Sequence, residues 1–181
     1  MNLEEKKLDS EVKFQGKIIT VCLDKAEIPS GAVKNREVVR HGGGVCVVPI
    51  TENGEILTVE QFRYPYMEVL EEIPAGKREN GEEPLVCGRR ELLEETGCTA
   101  ERFVPLGELY PSPGYCSEII YMYAALGLHY GESHPDDDEF LNLKKTPLSV
   151  LVDKILAGEI KDAKTQTAIL KVSQLKTAGK I

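Results

Sequence analysis

Two β-rich runs lie near the N-terminus, residues 17–28 and 33–41, and apolar and polar positions alternate along the first of them. The alternation has the period of two that is typical of a β-strand with one covered face. Pro29-Ser30-Gly31 separates the runs and is a strong turn signal. The pattern predicts an antiparallel pair of strands at the start of the chain.

A run of three glycines at residues 42–44 then interrupts the pattern. We expect a domain boundary there, with an N-terminal β segment over residues 1–42 and the main domain over residues 43–181. The first segment is too short to bury a core of its own. We therefore expect it to pack on another surface, such as a second copy of the chain.

The main domain interleaves strand-like and helix-like runs. Residues 45–50 are almost wholly apolar, which predicts a strand buried on both faces, and Asn53-Gly54 predicts a type I′ hairpin turn. Further strands are expected at 56–64, 103–110 and 119–128, and helices at 84–96, 147–157 and 162–176. This order predicts an α/β or α+β fold, with one long helix packed on a mixed sheet.

Composition narrows the function classes. The 181 residues carry a formal net charge of −8 and an isoelectric point near 5.0, which argues against binding to nucleic acid or to an anionic membrane. An anionic substrate would need local cations, from a metal ion or arginine. The five cysteines include no CxxC pair, and the N-terminus has no apolar signal-like run, so we expect a cytoplasmic protein with reduced thiols.

The helix expected at 84–96 carries an unusual cluster of carboxylates. Glu91, Glu94 and Glu95 share one side of the helix, and two of them lie in its last turn, where the helix dipole opposes negative charge. Arg90 can offset only one of them. A solvated acidic face is one interpretation, and a set of hard oxygen ligands for Mg²⁺ or Mn²⁺ is the other.

The stretch from Gly76 to Cys98 resembles the catalytic motif of Nudix hydrolases, G-x5-E-x7-R-E-U-x-E-E-x-G-U, in which U is apolar. The matching residues are Gly76, Glu82, Arg90, Glu91, Leu92, Glu94, Glu95, Gly97 and Cys98. This resemblance implies the Nudix α/β/α sandwich on a mixed sheet, with an N-terminal antiparallel β segment that aids formation of a homodimer.

The resemblance also implies roles for individual residues. Glu94 and Glu95 are expected to take part in catalysis, and Gly76, Glu82 and Arg90 to hold the loop to the helix and orient Glu94. The implied metal ligands are the Ala75 carbonyl, Glu91, Glu95 and Glu139, with Glu94 as the alternative helix carboxylate.

A second acidic segment, residues 136–139, reads DDDE. By composition alone it is a solvated surface loop. The Nudix resemblance implies instead that Glu139 binds metal and that Asp137 is the base for the attacking water. In similar enzymes the residue at the position of Asp137 is usually Glu, so the shorter Asp is a departure from their pattern.

Three residues are expected at the substrate. Arg63 lies in the string Gln-Phe-Arg-Tyr-Pro, which is similar to a segment of ADP-ribose pyrophosphatases, and its planar fork suits a phosphate. An ion pair with a nearby Glu is the alternative. Glu72 matches another substrate-contacting position of these enzymes. Arg36 is a candidate of the same kind, for which a local ion pair is at least as good an explanation.

The resemblance to Nudix hydrolases, and to ADP-ribose pyrophosphatases among them, implies Mg²⁺-dependent hydrolysis of a nucleoside diphosphate sugar, with ADP-ribose split to AMP and ribose 5-phosphate. The Pro at position 113 is typical of ADP-ribose hydrolases among Nudix proteins. The alternatives are another nucleotide sugar, a dinucleoside polyphosphate, or a non-catalytic nucleotide-binding module. The expected partner is thus a small nucleotide rather than nucleic acid or a membrane.

Overall fold

The computed structural model describes residues 2–132 and 140–181 and divides the chain into two compact units. The smaller unit contains Met1–Gly43 and Tyr110–Ile119, and the larger contains Gly44–Leu109 and Ile120–Ile181. The first change of unit thus falls one residue after the boundary expected from the glycine run. A segment from the middle of the chain also joins the smaller unit.

The smaller unit is a three-stranded antiparallel sheet in the order β1-β2-β3. Strands β2 and β3 correspond to the two predicted runs. Strand β1 was not predicted, because it is exposed along its whole length and its sequence, KKLDSEVKFQ, has no covered face to impose a clear apolar pattern. The bounds are β1 Lys6–Gln15, β2 Ile19–Glu27 and β3 Val33–His41.

The larger unit is built on a mixed four-stranded sheet in the order β7-β4-β9-β8. Strand β4 lies inside this sheet, parallel to β9 and antiparallel to β7, and all six of its residues are buried. This confirms the prediction made from its apolar sequence. The bounds are β4 Gly44–Pro49, β7 Ala75–Lys77, β8 Cys98–Leu109 and β9 Ile120–Tyr130.

A second, antiparallel sheet of the larger unit has the order β10-β5-β6. Strand β5 matches the predicted run at 56–64 within one residue at each end. The short strands β6, β7 and β10 were not predicted. The bounds are β5 Glu55–Arg63, β6 Glu68–Glu72 and β10 Asn142–Pro147.

Three helices pack against the strands of the larger unit in the part of the chain that the structure describes. They are α1 Pro84–Thr96, α2 Leu148–Leu156 and α3 Ala163–Thr177, close to the predicted spans. Leu92 of α1 packs with Val47 of β4, whereas Ile169 of α3 belongs to the cluster around Val48. Because neighbouring strand residues point to opposite faces, α1 and α3 cover the two faces of the sheet, which confirms the α/β/α arrangement.

The connection between β4 and β5 differs from the predicted type I′ hairpin turn. A type I′ turn needs a positive φ at both central residues, but Met67 is the sole non-glycine residue with a positive φ among the described residues. Of the two central residues Asn53 and Gly54, only Gly54 has a positive φ, at 78°. Gly54 N–H donates to the Thr51 carbonyl at 2.9 Å, and Thr51 N–H donates to Glu55 at 2.9 Å. The connection is therefore a longer loop that ends in one left-handed glycine.

Within residues 2–132 and 140–181, no helix combines the length and the apolar character that crossing a bilayer requires.

Candidate active site

Helix α1 begins and ends where its sequence predicts. Pro84 occupies the first turn, where its missing N–H leaves no intrahelical bond unmade. Gly97 closes the helix in a left-handed conformation at φ 69°, and its N–H donates to the Leu93 carbonyl at 2.8 Å. These two signals fix which turns carry the acidic residues.

A glycine on the inner face brings α1 close to the sheet. A Cβ on Gly88 would lie 3.1 Å from Cγ1 of Val45 and 3.4 Å from Cγ2 of Val47, which is tight for a core contact. The same face of the helix carries Glu91 and Glu95, since residues three and four apart are neighbours on a helix. Close approach at Gly88 therefore pulls two carboxylates toward the strands.

The two inward carboxylates lie against the backbone of strand β7. A Cβ on Gly76 would come within 1.9 Å of Cδ and Oε1 of Glu91, so the Glu91 carboxylate fills the space that any other residue at 76 would need. Ala75 N–H donates to Oε2 of Glu95 at 3.2 Å. Glu91 is 7% exposed and Glu95 is 5% exposed. Ala75, Gly76, Glu91 and Glu95 thus come together in the structure.

Arg90 connects the acidic residues of the helix with the preceding loop. Its Nη1 donates to Glu91 Oε1 at 2.8 Å and to Glu94 Oε2 at 2.9 Å. Its Nε donates to Glu82 Oε1 at 3.1 Å, and its Nη2 donates to the Lys77 carbonyl at 3.2 Å. One guanidinium therefore fixes both the loop and two helix carboxylates, which is a geometry that a planar fork provides.

The ionised forms of Glu82 and Arg90 stabilise each other. The hydrogen bond from Arg90 lowers the pKa of Glu82 to about 2, and Glu82 in turn raises the pKa of Arg90 above its ordinary value. Burial raises the pKa of the nearby Cys87 thiol to about 12, so that thiol stays protonated. Glu82 also accepts from Glu79 N–H at 2.9 Å, which orders the loop.

Arg78 is a part of the loop that sequence reasoning missed. Its Nε donates to the Glu82 carbonyl at 3.0 Å, and its guanidinium lies 5.3 Å from the ring centroid of Tyr121 on β9. The only sequence signal is a basic residue between the motif glycine and the motif glutamate. The ring that it covers is remote in sequence, so this contact could not be anticipated.

The donor set fits a hard divalent cation. Mg²⁺ prefers oxygen ligands, and the site provides them from the carboxylates of Glu91 and Glu95 and from the Ala75 carbonyl. Because Gly76 has no side chain, there is room beside it for the Glu91 carboxylate. Within residues 2–132 and 140–181, no three His, Cys, Asp or Glu side chains form a complete metal-binding group. Glu139, the other predicted ligand, and Asp137, the predicted base, lie outside the described residues.

A second group of charges joins Arg63, Glu72 and Lys164. Arg63 donates to Glu72 through Nε and Nη2, each at 2.7 Å, and Lys164 Nζ donates to the same carboxylate. Burial raises the pKa of Glu72, but the Arg63 hydrogen bond and the Lys164 charge lower it by more, so the net shift is downward. The two predicted substrate residues Arg63 and Glu72 are therefore paired with each other. Lys164 was missed by sequence reasoning.

Arg36 belongs to the smaller unit, on strand β3. Its Nε and Nη2 donate to the Glu5 carboxylate at 2.9 and 2.7 Å. This is the local ion pair that the sequence offered as an alternative to a substrate contact. Both side chains are well exposed. The ion pair does not test whether Arg36 contacts the substrate, and that role stays a prediction.

Comparison with known proteins places this geometry in a family. The family model described as NUDIX domain matches residues 40–167. The chain is 40% identical over 179 residues to the ADP-ribose pyrophosphatase of Bacillus subtilis strain 168, covering 98% of this chain and 96% of that one. It is 41% identical over 168 residues to the methanol dehydrogenase activator of Bacillus methanolicus, covering 92% and 91%.

The fold comparison agrees with the sequence comparison. A crystal structure of an ADP compounds hydrolase superimposes with a TM-score of 0.86 over 100% of both chains, at 22% sequence identity. At that identity the likeness concerns the fold. The family model covers the motif loop, helix α1 and both sheets of the larger unit. With its motif carboxylates and arginine in the arrangement described above, the chain belongs to the NUDIX family.

Proposed function

We propose that the protein hydrolyses the diphosphate bond of ADP-ribose, giving AMP and ribose 5-phosphate, with Mg²⁺ as cofactor and Mn²⁺ as an alternative. The observation that carries the proposal is the burial of the Glu91 and Glu95 carboxylates against the backbone at Ala75 and Gly76. Glu91 accepts from Arg90 and Glu95 accepts from the Ala75 N–H, so both carboxylates are held close to the backbone of strand β7. Carboxylate and backbone oxygens gathered in this way suit the binding of a hard divalent cation. The B. subtilis ADP-ribose pyrophosphatase, similar over nearly the whole chain, supports the substrate.

The metal would be held by Glu91, Glu95, the Ala75 carbonyl and Glu139. A divalent cation held there would supply positive charge to the diphosphate oxygens and make a water easier to deprotonate, which is the chemistry that attack on phosphorus requires. Glu94 is the least buried of the three helix carboxylates and is available to act near the reacting water. Asp137 is proposed as the base that accepts a proton from that water.

The arginines supply order and positive charge. Arg90 orients Glu94 and ties Glu82 to the helix, so the loop keeps its position while the substrate binds. Arg63 is 36% exposed at its side chain although its partner Glu72 is buried, which leaves part of the guanidinium open to an anion. In a protein of net charge −8, such local cations are needed to attract a diphosphate.

The test is product analysis with pure protein, ADP-ribose and Mg²⁺. We expect AMP and ribose 5-phosphate in equal amounts, and neither product when EDTA is present. Other nucleotide sugars and dinucleoside polyphosphates belong in the same assay, since faster turnover of one of them would replace the ADP-ribose assignment. Absence of turnover across the panel would contradict the proposal.

A matched variant separates hydrolysis from simple binding. Glu95→Gln preserves shape but removes a charge needed for a metal ligand, and it should lower kcat by about 10³-fold or more while the protein still folds. The matched control is Glu79→Gln, because the structure gives the Glu79 carboxylate no part in the cluster around Arg90. A non-catalytic nucleotide-binding module would bind ADP-ribose equally well with or without Glu95.

The Bacillus methanolicus relative suggests a second candidate, activation of methanol dehydrogenase. It is tested by adding the protein to methanol dehydrogenase and measuring the rate of methanol oxidation. A rise that wild-type protein causes and Glu95→Gln does not would connect that activation to the same carboxylate site.

We also propose that the protein is a cytoplasmic homodimer. The five cysteines are free thiols, which suits a reducing compartment. Strand β1 exposes Leu8, Val12 and Phe14 along its length, an apolar surface that a second copy could cover. Light scattering should give twice the chain mass of 20.1 kDa, whereas a mass near 20.1 kDa would contradict the dimer.

A further inference from the structure

Lys164 is a buried lysine that the proposed mechanism does not use. It is 9% exposed, although lysine is almost never buried unless it is paired. Its Nζ donates to Glu72 and lies 3.0 Å from Oδ1 of Asp162. Burial lowers the pKa of Lys164, but the charges of Asp162 and Glu72 raise it by more. The lysine is therefore a fixed positive charge.

The backbone around Lys164 fixes the position of that charge. Asp162 caps α3 by accepting from Thr165 N–H at 2.9 Å, which holds the first turn of the helix. The Thr165 hydroxyl accepts from Ile73 N–H at 3.0 Å, directly after Glu72 in the chain. The start of α3 is thus fastened to the end of β6, and the lysine has little freedom to move.

Glu72 connects Lys164 with Arg63 through hydrogen bonds to both residues. Its carboxylate is 2% exposed and receives two hydrogen bonds from Arg63 in addition to the one from Lys164. Those two bonds use Nε and Nη2 of Arg63. Within the described residues no hydrogen bond is found for Nη1, so that edge of the fork is available to another acceptor.

Arg63 also lies within electrostatic range of the carboxylate site. The hydrogen bond from Glu72 raises the Arg63 pKa most, and the charge of Glu95 adds to the same shift. Only Ile73 and Pro74 separate Glu72 from Ala75, whose N–H binds Glu95. The Glu72–Ala75 segment therefore connects Arg63 with the carboxylate site, and the charge of Arg63 acts on that site.

We infer that Lys164 is a positioning residue: through Glu72 it holds Arg63 in the orientation that binds the diphosphate of the substrate. The inference rests on the proposed function and adds to it a residue that acts without touching the substrate. Without the Lys164 charge, Arg63, Glu72 and Asp162 would carry a net charge of −1 instead of zero. Arg63 would then be less well oriented and surrounded by an excess of negative charge.

A second lysine, Lys154, is paired with a glutamate of strand β6 and provides a matched control. Lys154 Nζ contacts Glu71 Oε2 at 2.7 Å, one residue before Glu72. Adjacent residues of a strand point to opposite faces, so this pair faces away from Arg63. Lys154→Met and Lys164→Met each remove one lysine that is paired with β6, but only the second should affect the substrate.

The experiment is steady-state kinetics with ADP-ribose and Mg²⁺ on the full chain. Lys164→Met should raise KM by roughly tenfold with kcat changed less than about twofold, because a binding interaction common to ground and transition states is weakened. Lys154→Met should leave KM within about twofold of wild type. Lys164→Gln, which can still donate to Glu72 but has no charge, should give an intermediate KM, and it replaces Lys164→Met in every comparison if circular dichroism shows that variant misfolded.

A double-mutant cycle with Arg63→Met shows whether Lys164 acts through Arg63. In the Arg63→Met background, Lys164→Met should raise KM by less than about twofold, since coupled residues give non-additive effects. Full additivity, or equal KM for the Lys154 and Lys164 variants, would overturn the role of Lys164 while ADP-ribose hydrolysis stands. No hydrolysis by wild-type protein would overturn the proposed function, and the inference with it.

Discussion

The carboxylate site on α1 and the Arg63–Glu72–Lys164 group are built by different means. Glu91, Glu94 and Glu95 converge because helical spacing places residues three and four apart side by side. In the second group, Lys164 and Glu72 are 92 residues apart in the chain and meet where the first turn of α3 is hydrogen-bonded to the end of β6. The first site is specified by a short motif and the second by the tertiary fold, so they should respond differently to substitution.

The largest effect is expected where the motif depends on one close contact. Gly76→Ala would place a Cβ 1.9 Å from the Glu91 carboxyl carbon, so the helix or the carboxylate must move. We expect kcat/KM to fall by about 10²-fold or more, since a displacement of about 1 Å has that cost, and stability to fall by about 1–3 kcal/mol. Kinetics and urea unfolding measure the two effects.

The control for that substitution is another glycine. A Cβ at Gly42 meets no atom within 4 Å, and its φ is not in the left-handed region. Gly42→Ala should therefore leave both activity and stability near wild type. If Gly76→Ala behaved in the same way, the close packing of Glu91 on the loop would not matter for catalysis.

Replacing Arg90 by lysine should have the next largest effect. Lysine keeps the charge but cannot bind Glu82, Glu91 and Glu94 together, because it lacks the planar fork. We expect kcat to fall by roughly tenfold to 10²-fold, with a smaller change in KM, because Glu94 loses its orientation. Steady-state kinetics measure this split. Unchanged kcat would mean that charge alone is required at position 90.

The second region should lose stability when its helix cap is removed. Asp162→Ala deletes the acceptor for Thr165 N–H, which should cost about 1 kcal/mol of unfolding free energy. Asp162→Asn keeps an oxygen at the same place and should lose less, since Asn caps as well as Asp. Urea unfolding of both variants tests this order, and equal losses would show that the charge beside Lys164 dominates over the cap.

The smallest effect concerns pH. The pKa of Glu82 falls from an ordinary 4.5 to about 2 on folding, so its bond to Arg90 stabilises the folded state fully above about pH 4.5. That contribution is lost as the pH falls toward 2, when the carboxylate is protonated in both states. The Tm difference between wild type and Glu82→Gln should thus shrink between pH 5 and pH 2.5. A constant difference over that range would exclude the charged pair as its source.

Local elements of the fold followed closely from the sequence. The ends of α1 were predicted because Pro84 and Gly97 have strong local preferences, and Asp162 marked the start of α3 in the same way. Strand β4 was predicted because a strand inside a sheet is buried on both faces and reads as an apolar run. Strand β1, which is exposed, gave no such pattern.

The type I′ prediction at Asn53-Gly54 was wrong for a related reason. That dipeptide favours a left-handed conformation, but the length of the loop is set by how the flanking strands pair. Strand β4 makes its ladders with β7 and β9 instead of β5, and a single bridge, Ile50 to Ile56, joins it to the β5 segment. The loop therefore does not connect two neighbouring strands of one sheet, which is where a two-residue type I′ turn is found.

What the sequence determined by itself is the chemistry of the motif: the residue types and their helical spacing. Both depend on neighbouring turns of a single helix, where backbone geometry fixes which side chains are neighbours. Only the tertiary structure decided that Arg63 pairs with Glu72 and that Lys164 joins them. Contacts between distant segments depend on the packing of whole elements, because many lysines and glutamates could pair equally well by charge alone.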